Sequence, residues 1–372
     1  MPPLSIMIKP VSSKCTMRCK YCFYADVIAS RNQADMGQMN HNTMENLVRR
    51  AMSYADGSVS FSFQGGEPTL AGINFFREFM QLERKFRRNG LVVNNSIQTN
   101  GYRIDDELIR FLVDNNFLIG VSVDGSQRIH DRFRLNTSGE GTYSEVKKTL
   151  DRLTELQANF NVLSVVNKYV AENASECFDS LSEYGYIQFI PCIDTFDGKV
   201  CDYSLSPEMY GNFLKEVFDL YYTAFMRGNP VSIRNFDNYI GILLGRQPEN
   251  CGMCGHCGNY FLVEGNGGVY PCDFYVLDQW CIGNINTSSF FKLGRSEIGE
   301  QFRNLSYYIS QECRTCNWLY LCRGGCRRDR EPFKDGFTGK NRWCSSFKTF
   351  FEYAYPRMCK LAEKINGYNL TH

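Results

Sequence analysis

Histidine is scarce in this chain, at 4 of 372 residues, so a hydrolytic zinc centre built on imidazole has little to draw on. Excess charge is missing too. Forty-one Lys and Arg against 40 Asp and Glu leave a formal charge of +1, and no global basic field points to nucleic acid or an anionic membrane. No apolar run approaches the roughly 18 residues of a membrane span. The start, Met1-Pro2-Pro3-Leu4-Ser5-Ile6, has no charged region followed by a long apolar stretch, so no signal peptide is expected. Internal repeats, low-complexity tracts and long linkers are absent. What the chain does have is apolar residues (43%), aromatics (14%) and 17 cysteines. It is long enough for two or three domains, or for one barrel with an appendage. Cytoplasmic location is expected, and there an odd, large set of thiols favours metal binding over disulfides.

Short β-branched or apolar runs alternate with longer amphipathic ones. Strands are expected at Leu4–Lys9, Val59–Gln64, Val92–Gln98, Leu118–Val123, Phe160–Val166 and Tyr186–Pro191, with helices near 42–55, 73–88, 105–115, 143–157 and 172–184. In the second helix Phe75, Phe76, Phe79, Met80 and Leu82 recur at helical spacing. Six such alternations imply an α/β fold with a parallel sheet and right-handed crossovers. Functional loops of such a sheet gather at the carboxyl ends of its strands. Ser206-Pro207-Glu208 has the cap, first-turn proline and early acid of one more helix start. After residue 245 the alternation stops, and eleven cysteines fall between 251 and 359.

Cys15, Cys19 and Cys22 directly follow the first strand, spaced C-x3-C-x2-C, with Tyr21, Phe23 and Tyr24 around the last. Structural zinc sites and ordinary iron–sulfur clusters take four protein ligands. Three tightly spaced thiols suggest a cluster with one iron left open. A zinc knuckle with a distant fourth ligand, or three unrelated buried thiols, would fit the spacing as well. The motif resembles the radical S-adenosylmethionine (SAM) enzymes, whose 4Fe-4S cluster binds SAM through its unique iron. Gly65-Gly66-Glu67-Pro68, after the second strand, resembles the family's GGEP segment, which holds the SAM amino group; the alternative is a plain strand–helix turn. Ser122 and Arg134 match positions that contact the SAM carboxylate and ribose, and a guanidinium fork suits a carboxylate. The resemblance also implies Tyr21 and Ile193 as cofactor contacts. Gln98-Thr99-Asn100-Gly101, after the third strand, faces the same site or simply forms its turn.

Towards the C-terminus stand Cys251-x2-Cys254-x2-Cys257, Cys272, Cys313-x2-Cys316-x5-Cys322-x3-Cys326 and Cys344. Spacing alone does not partition these thiols, and two zinc sites are the alternative reading. The block resembles the SPASM extension with two auxiliary 4Fe-4S clusters. That resemblance implies Cys251, Cys257, Cys272 and Cys326 for one, and Cys313, Cys316, Cys322 and Cys344 for the other. Cys254, Cys281 and Cys359 are left over as small buried hydrophobes, although Cys254 could replace Cys251 or Cys257. The expected architecture is a partial (β/α)6 TIM-like radical SAM barrel over 1–229, followed by a cysteine-rich SPASM domain over 230–372.

Longer runs narrow the resemblance. Gln64-Gly65-Gly66-Glu67-Pro68-Thr69-Leu70-Ala71-Gly72, Val269-Tyr270-Pro271-Cys272-Asp273-Phe274-Tyr275-Val276 and Cys322-Arg323-Gly324-Gly325-Cys326-Arg327-Arg328 look like the anaerobic sulfatase-maturating enzymes. The pattern departs at Cys254 and in a slightly short segment near 167–185. Such enzymes oxidise a Cys or Ser in a Cys/Ser-x-Pro-x-Arg segment to Cα-formylglycine without oxygen. The resemblance implies SAM and three 4Fe-4S clusters as cofactors. It implies a 5′-deoxyadenosyl radical that takes a Cβ hydrogen, and an unfolded or nascent sulfatase as partner. A low-potential donor such as ferredoxin or flavodoxin is a further implied partner. Asp273 matches the family's catalytic base; the alternative is an Asp capping a turn. Tyr24, Gln64, Gln98 and Arg234 are weaker candidates for peptide contacts, and Arg234 could equally be a buried ion-pair partner. Two other functions compete. A SPASM enzyme that crosslinks a ribosomal peptide often carries a recognition domain before the barrel, for which a motif beginning at residue 15 leaves no room. A non-enzymatic electron carrier or zinc module would not need Glu67, Ser122 and Arg134.

Overall fold

The computed structural model describes residues 3–196, 198–330 and 339–369. Its strands are β1 (Leu4–Ile8), β2 (Ser58–Phe63), β3 (Val92–Thr99), β4 (Leu118–Ser122), β5 (Phe160–Val166), β6 (Tyr186–Pro191), β7 (Ser232–Ile233), β8 (Phe261–Val263), β9 (Gly268–Tyr270) and β10 (Gly283–Asn284). Each of β1–β6 runs on into helix, the (β/α)6 succession of a partial TIM-like barrel. The chain forms two compact units. One comprises Met1–Ser122, Arg134–Phe160 and Asn259–Phe302; the other comprises Val123–Phe133, Asn161–Gly258 and Arg303–His372.

In the first unit the strand order is β10-β9-β8-β1-β2-β3-β4. β1 to β4 are mutually parallel. β8 adds in parallel to the free side of β1, with Ile8 opposite Val263. β9 and β10 then turn back antiparallel. In β2, Ser-Val-Ser-Phe-Ser-Phe, the period of two sends Val59, Phe61 and Phe63 to one face, all fully buried. Phe63 meets Phe79 edge to face at 4.9 Å and Phe76 at 5.2 Å. Both come from the helix Ile73–Phe86, whose stripe the sequence displays. Burying each such ring stabilises the unit by roughly 1.5–3 kcal/mol. The opposite face of the sheet is polar, where Ser62 and Ser96 hydroxyls meet at 2.8 Å across β2 and β3. Asn40 and Asp105 cap the helices His41–Tyr54 and Asp106–Asp114 by accepting from Thr43 N and Glu107 N.

The second unit holds β5, β6 and β7 in parallel register. Its core lies between the helix Pro207–Met226, started by Ser206 accepting from Met209 N, and the long helix Cys344–Asn369. Phe218 meets Phe350 at 5.6 Å, and Tyr210 meets Trp343 at 5.0 Å. The helix expected near 172–184 is Ala174–Ser182, and a short helix that the sequence did not display, Lys168–Ala171, precedes it. Asn167 starts the short helix by accepting from Tyr169 N and Val170 N. No helix among the described residues is long and apolar enough to cross a membrane.

Candidate active site

The carboxyl ends of β1–β4 carry the expected site. After β1 the chain makes two turns and enters the cysteine loop. Arg18 N bonds to Leu135 O at 2.7 Å, and Met17 bridges to Asn136, so the loop is held open along its length. Cys22 ends it at the start of the helix Phe23–Ala29. Cys15 Sγ accepts hydrogen bonds from Met17 N at 3.4 Å and from Asn100 Nδ2 at 3.6 Å. Burial pushes the Cys15 thiol up, against these two donors; a bound iron would displace its proton. None of the three cysteines is in a disulfide. Cys15, unbridged and accepting two hydrogen bonds, is suited to hold iron.

The Gly-Gly turn is shaped by the protein's own chain. Gly65 has φ +97° and Gly66 φ +57°, conformations in which a side chain is strained. A Cβ on Gly66 would collide with the carbonyls of Lys14 and Ser12, and one on Gly65 with the Lys9 stem. Glu67 N bonds to Lys14 O at 2.7 Å, which locks this turn beneath the cysteine loop. The Glu67 carboxylate is 1% exposed. It accepts from Thr69 N and Oγ1, from Thr99 Oγ1 at 2.7 Å and from Asn100 N at 2.7 Å. Burial raises its pKa against those bonds. Glu67 thus ties the end of β2 to the end of β3, and Asn100 passes the tie on to Cys15.

Beside this lies a second group. Tyr24 Oη donates to Asp273 Oδ2 at 2.7 Å. Gln64 Nε2 donates to Tyr24 Oη at 3.0 Å and reaches Asp273 Oδ2 at 3.4 Å. Three residues that are far apart in the chain therefore meet. Asp273 Oδ1 is buried with no hydrogen-bond partner. Burial raises the Asp273 carboxyl, while the Lys9 ammonium and the Tyr24 hydroxyl pull it down. One oxygen is fixed and the other is free to accept a proton, as a general base requires. Lys9 and Glu264, silent in the sequence reading, lie behind this group. Lys9 Nζ stands 4.2 Å over the Tyr24 ring and 3.6 Å from Glu264 Oε1.

The other candidates of the first unit lie along the same strand ends. Gln98 Nε2 donates to Ser122 Oγ at 3.0 Å across β3 and β4. The buried Arg134 lies over the Tyr21 ring at 5.5 Å. Ile193 follows β6 in the second unit, where its carbonyl accepts from the Cys192 thiol at 3.8 Å. Arg234 opens the helix Arg234–Leu243. It has no carboxylate within ion-pair distance among the described residues, so the ion-pair alternative finds no support there. Its charge partly offsets the rise that burial imposes on the Cys251 thiol.

In the second unit four thiols surround one cavity. Cys313, Cys316, Cys322 and Cys344 line it together with Trp318 and Phe347. Burial raises the Cys322 thiol to about 12, with the other three thiols as its charged neighbours. Four thiols lining one apolar hollow are the donor set that a cubane cluster takes. Burial likewise raises Cys251, Cys257 and Cys326. Each of Cys251 and Cys257 lies close enough to add to the rise of Cys326. Cys272 is in the first unit, beside Asp273. Cys254 donates to Asn250 O at 3.6 Å and Pro248 O at 3.8 Å, and it also lies close enough to Cys251 to add to the rise of that thiol. Among the described residues no three His, Cys, Asp or Glu side chains converge on a single ion.

Comparison with known proteins agrees with this geometry. The Radical SAM superfamily matches residues 10–181, and the SPASM iron-sulfur cluster-binding domain matches 251–317. Fold and matches together define a radical SAM enzyme with a SPASM domain, which works with SAM and iron–sulfur clusters. A cysteine-type anaerobic sulfatase-maturating enzyme of Clostridium perfringens is 42% identical over 370 residues, covering 98% of this chain and 100% of that protein. A serine-type counterpart of Bacteroides thetaiotaomicron is 30% identical, covering 96% and 90%. The solved structure of native anSMEcpe with bound AdoMet and Cp18Cys peptide covers 98% of this chain and 100% of that one, at 42% identity and a TM-score of 0.93. The chain belongs to the anaerobic sulfatase-maturating enzymes.

Proposed function

We propose that this enzyme oxidises a cysteine, within a Cys-x-Pro-x-Arg segment of an unfolded or nascent sulfatase, to Cα-formylglycine without oxygen. Cysteine is favoured over serine by likeness. Cysteine-type relatives are 40–42% identical along the chain, and serine-type relatives 26–30%. One observation carries the reading: a buried carboxylate, Asp273, with one oxygen held by Tyr24 and Gln64 and the other unpaired.

Cys15, Cys19 and Cys22 would hold the cluster that engages SAM. Arg134, Ser122, Tyr21 and the Gly65-Gly66-Glu67 turn would seat the cofactor beside it, with Ile193 as a further contact. Cys313, Cys316, Cys322 and Cys344 would hold one auxiliary cluster. Cys251, Cys257 and Cys326 would serve the other, for which Cys272 is the expected fourth thiol. When bound, SAM and its reduced cluster supply the one-electron chemistry that removes a hydrogen from the substrate Cβ. Asp273 then takes the thiol proton on Oδ1. Tyr24 and Gln64 hold Oδ2 and stabilise the carboxylate while it waits. The auxiliary clusters would supply a route for the second electron to leave, and a low-potential donor such as ferredoxin or flavodoxin would reduce the N-terminal cluster. Water would then replace sulfur in the resulting thioaldehyde, releasing hydrogen sulfide and leaving formylglycine. Gln98 and Arg234 are offered as contacts to the client peptide.

The test is anaerobic. The clusters are reconstituted, and SAM, a reductant and paired Cys-x-Pro-x-Arg and Ser-x-Pro-x-Arg peptides are added. Mass spectrometry is expected to show formylglycine with 5′-deoxyadenosine, faster from the cysteine peptide. Deoxyadenosine with both peptides unchanged would refute the maturase reading and favour another peptide substrate.

A further inference from the structure

We propose that Lys9 is a positioning residue for proton removal, acting through Tyr24 on Asp273. The proposal rests on Asp273 being the base. Lys9 follows the last residue of β1, where a lysine would ordinarily reach for water. Here the side chain is 2% exposed. A buried ammonium is costly unless it is paired, so its neighbours define its purpose. The stem runs under the Gly-Gly turn, where a Cβ on Gly65 would approach Lys9 Cγ to 2.5 Å and Cδ to 2.8 Å. The ammonium lies 3.6 Å from Glu264 Oε1 and 4.2 Å from the Tyr24 ring, and the Asp273 carboxylate also feels its charge.

Glu264, just past β8, is fully buried and is itself anchored. Arg31 Nη1 donates to Glu264 Oε1 at 2.8 Å, and Arg31 Nη2 donates to Ala34 O at 2.7 Å and Ser12 Oγ at 3.3 Å. The line Arg31, Glu264, Lys9, Tyr24, Asp273 alternates cation, anion, cation, ring and anion. Each member restrains the next. A cation on the face of a phenol is attracted by the ring and strengthens its hydroxyl as a donor. The Tyr24 hydroxyl in turn has one acidic partner, Asp273 Oδ2 at 2.7 Å. Lys9 thereby fixes the ring that fixes the carboxylate, and Oδ1 is the oxygen left for the substrate.

The decisive variant is Lys9→Met, which keeps the stem and removes the charge. The reconstituted enzyme is assayed with the Cys-x-Pro-x-Arg peptide. The readouts are kcat, peptide KM, iron content and formylglycine formed per 5′-deoxyadenosine. Loss of positioning is expected to lower kcat by about tenfold, leave KM within about twofold and lower the product ratio, because misplaced reacting groups lose rate without losing binding. Glu264→Gln releases the ammonium without deleting it, and decides the matter if Lys9→Met does not fold; a fall of about threefold in the ratio is expected. A space-filling lysine would behave otherwise: iron, deoxyadenosine and product would fall together with the ratio unchanged, and the proposal would be overturned. Asp273→Asn is run alongside. Full activity there removes the base and this proposal with it. An inactive Asp273→Asn beside a wild-type ratio in Lys9→Met and Glu264→Gln overturns the Lys9 proposal alone.

Discussion

At the scale of single residues, the chemistry comes down to which carboxylate oxygen is occupied. Asp273 Oδ2 is held and Oδ1 is not. Asp273→Asn keeps the shape and removes the base. Formylglycine formation is expected to fall by at least about a hundredfold, the usual scale for a general base, while iron content measured by colorimetric assay stays at the wild-type level. Tyr24→Phe keeps the ring under Lys9 but deletes the donor. A hydrogen bond to a charged group contributes about 1.5–3 kcal/mol, so kcat is expected to drop by roughly tenfold or more. A wild-type kcat would show that the bond carries no catalytic weight. Glu67 differs from Asp273 because both of its oxygens are already occupied by protein donors. Removing the Glu67 carboxylate should therefore loosen the fold as well as the cofactor site.

At the scale of elements, β2 and the turn after it set the site. Phe63 meets four aromatic rings, three from the helix Ile73–Phe86 and that of Phe117, just ahead of β4. Phe63→Ala is expected to cost about 3–5 kcal/mol in chemical denaturation, the range for a truncated core phenylalanine. Gly66→Ala places a methyl against the Lys14 carbonyl at φ +57°. It is expected to destabilise by about 1–3 kcal/mol and to lower iron retention at the N-terminal cysteines. An unchanged melting temperature and iron content would show that the turn tolerates a side chain. Elements such as these were legible in the sequence. The alternating Ser and Phe of β2 and the Phe stripe of Ile73–Phe86 display their periods openly. β8 to β10 were not legible, because strands of two or three residues are too short to show a period. The short helix Lys168–Ala171 was missed for a related reason: Asn167 reads as polar surface until its side chain is seen accepting from two backbone amides to start it. The Tyr24–Asp273 pair has no local signal, and only resemblance nominated its members. Lys9 had none either, since a lysine after a strand looks solvated until a fold buries it.

For the whole molecule, the thiols separate by what their hydrogens do. Cys254→Ser is expected to leave total iron unchanged, because its thiol donates to backbone carbonyls. Cys322→Ala, within the four-thiol cavity, is expected to lose about one cluster's iron and to lower thermal stability, since bound metal adds its binding energy to folding. Iron assays on the two variants side by side check both expectations, and equal losses would show that Cys254 is a ligand.

The order of the chain and the order of the fold also disagree. Residues 259–302, which bring β8, Glu264, Cys272 and Asp273, belong to the same compact unit as β1 to β4. A chimera that joins residues 1–229 to the remainder of a relative would therefore import a foreign edge strand and a foreign base into its own reaction chamber. Recombination cannot exchange the two halves as independent modules. Divergence of the reaction and divergence of the auxiliary cluster region are tied to one inheritance.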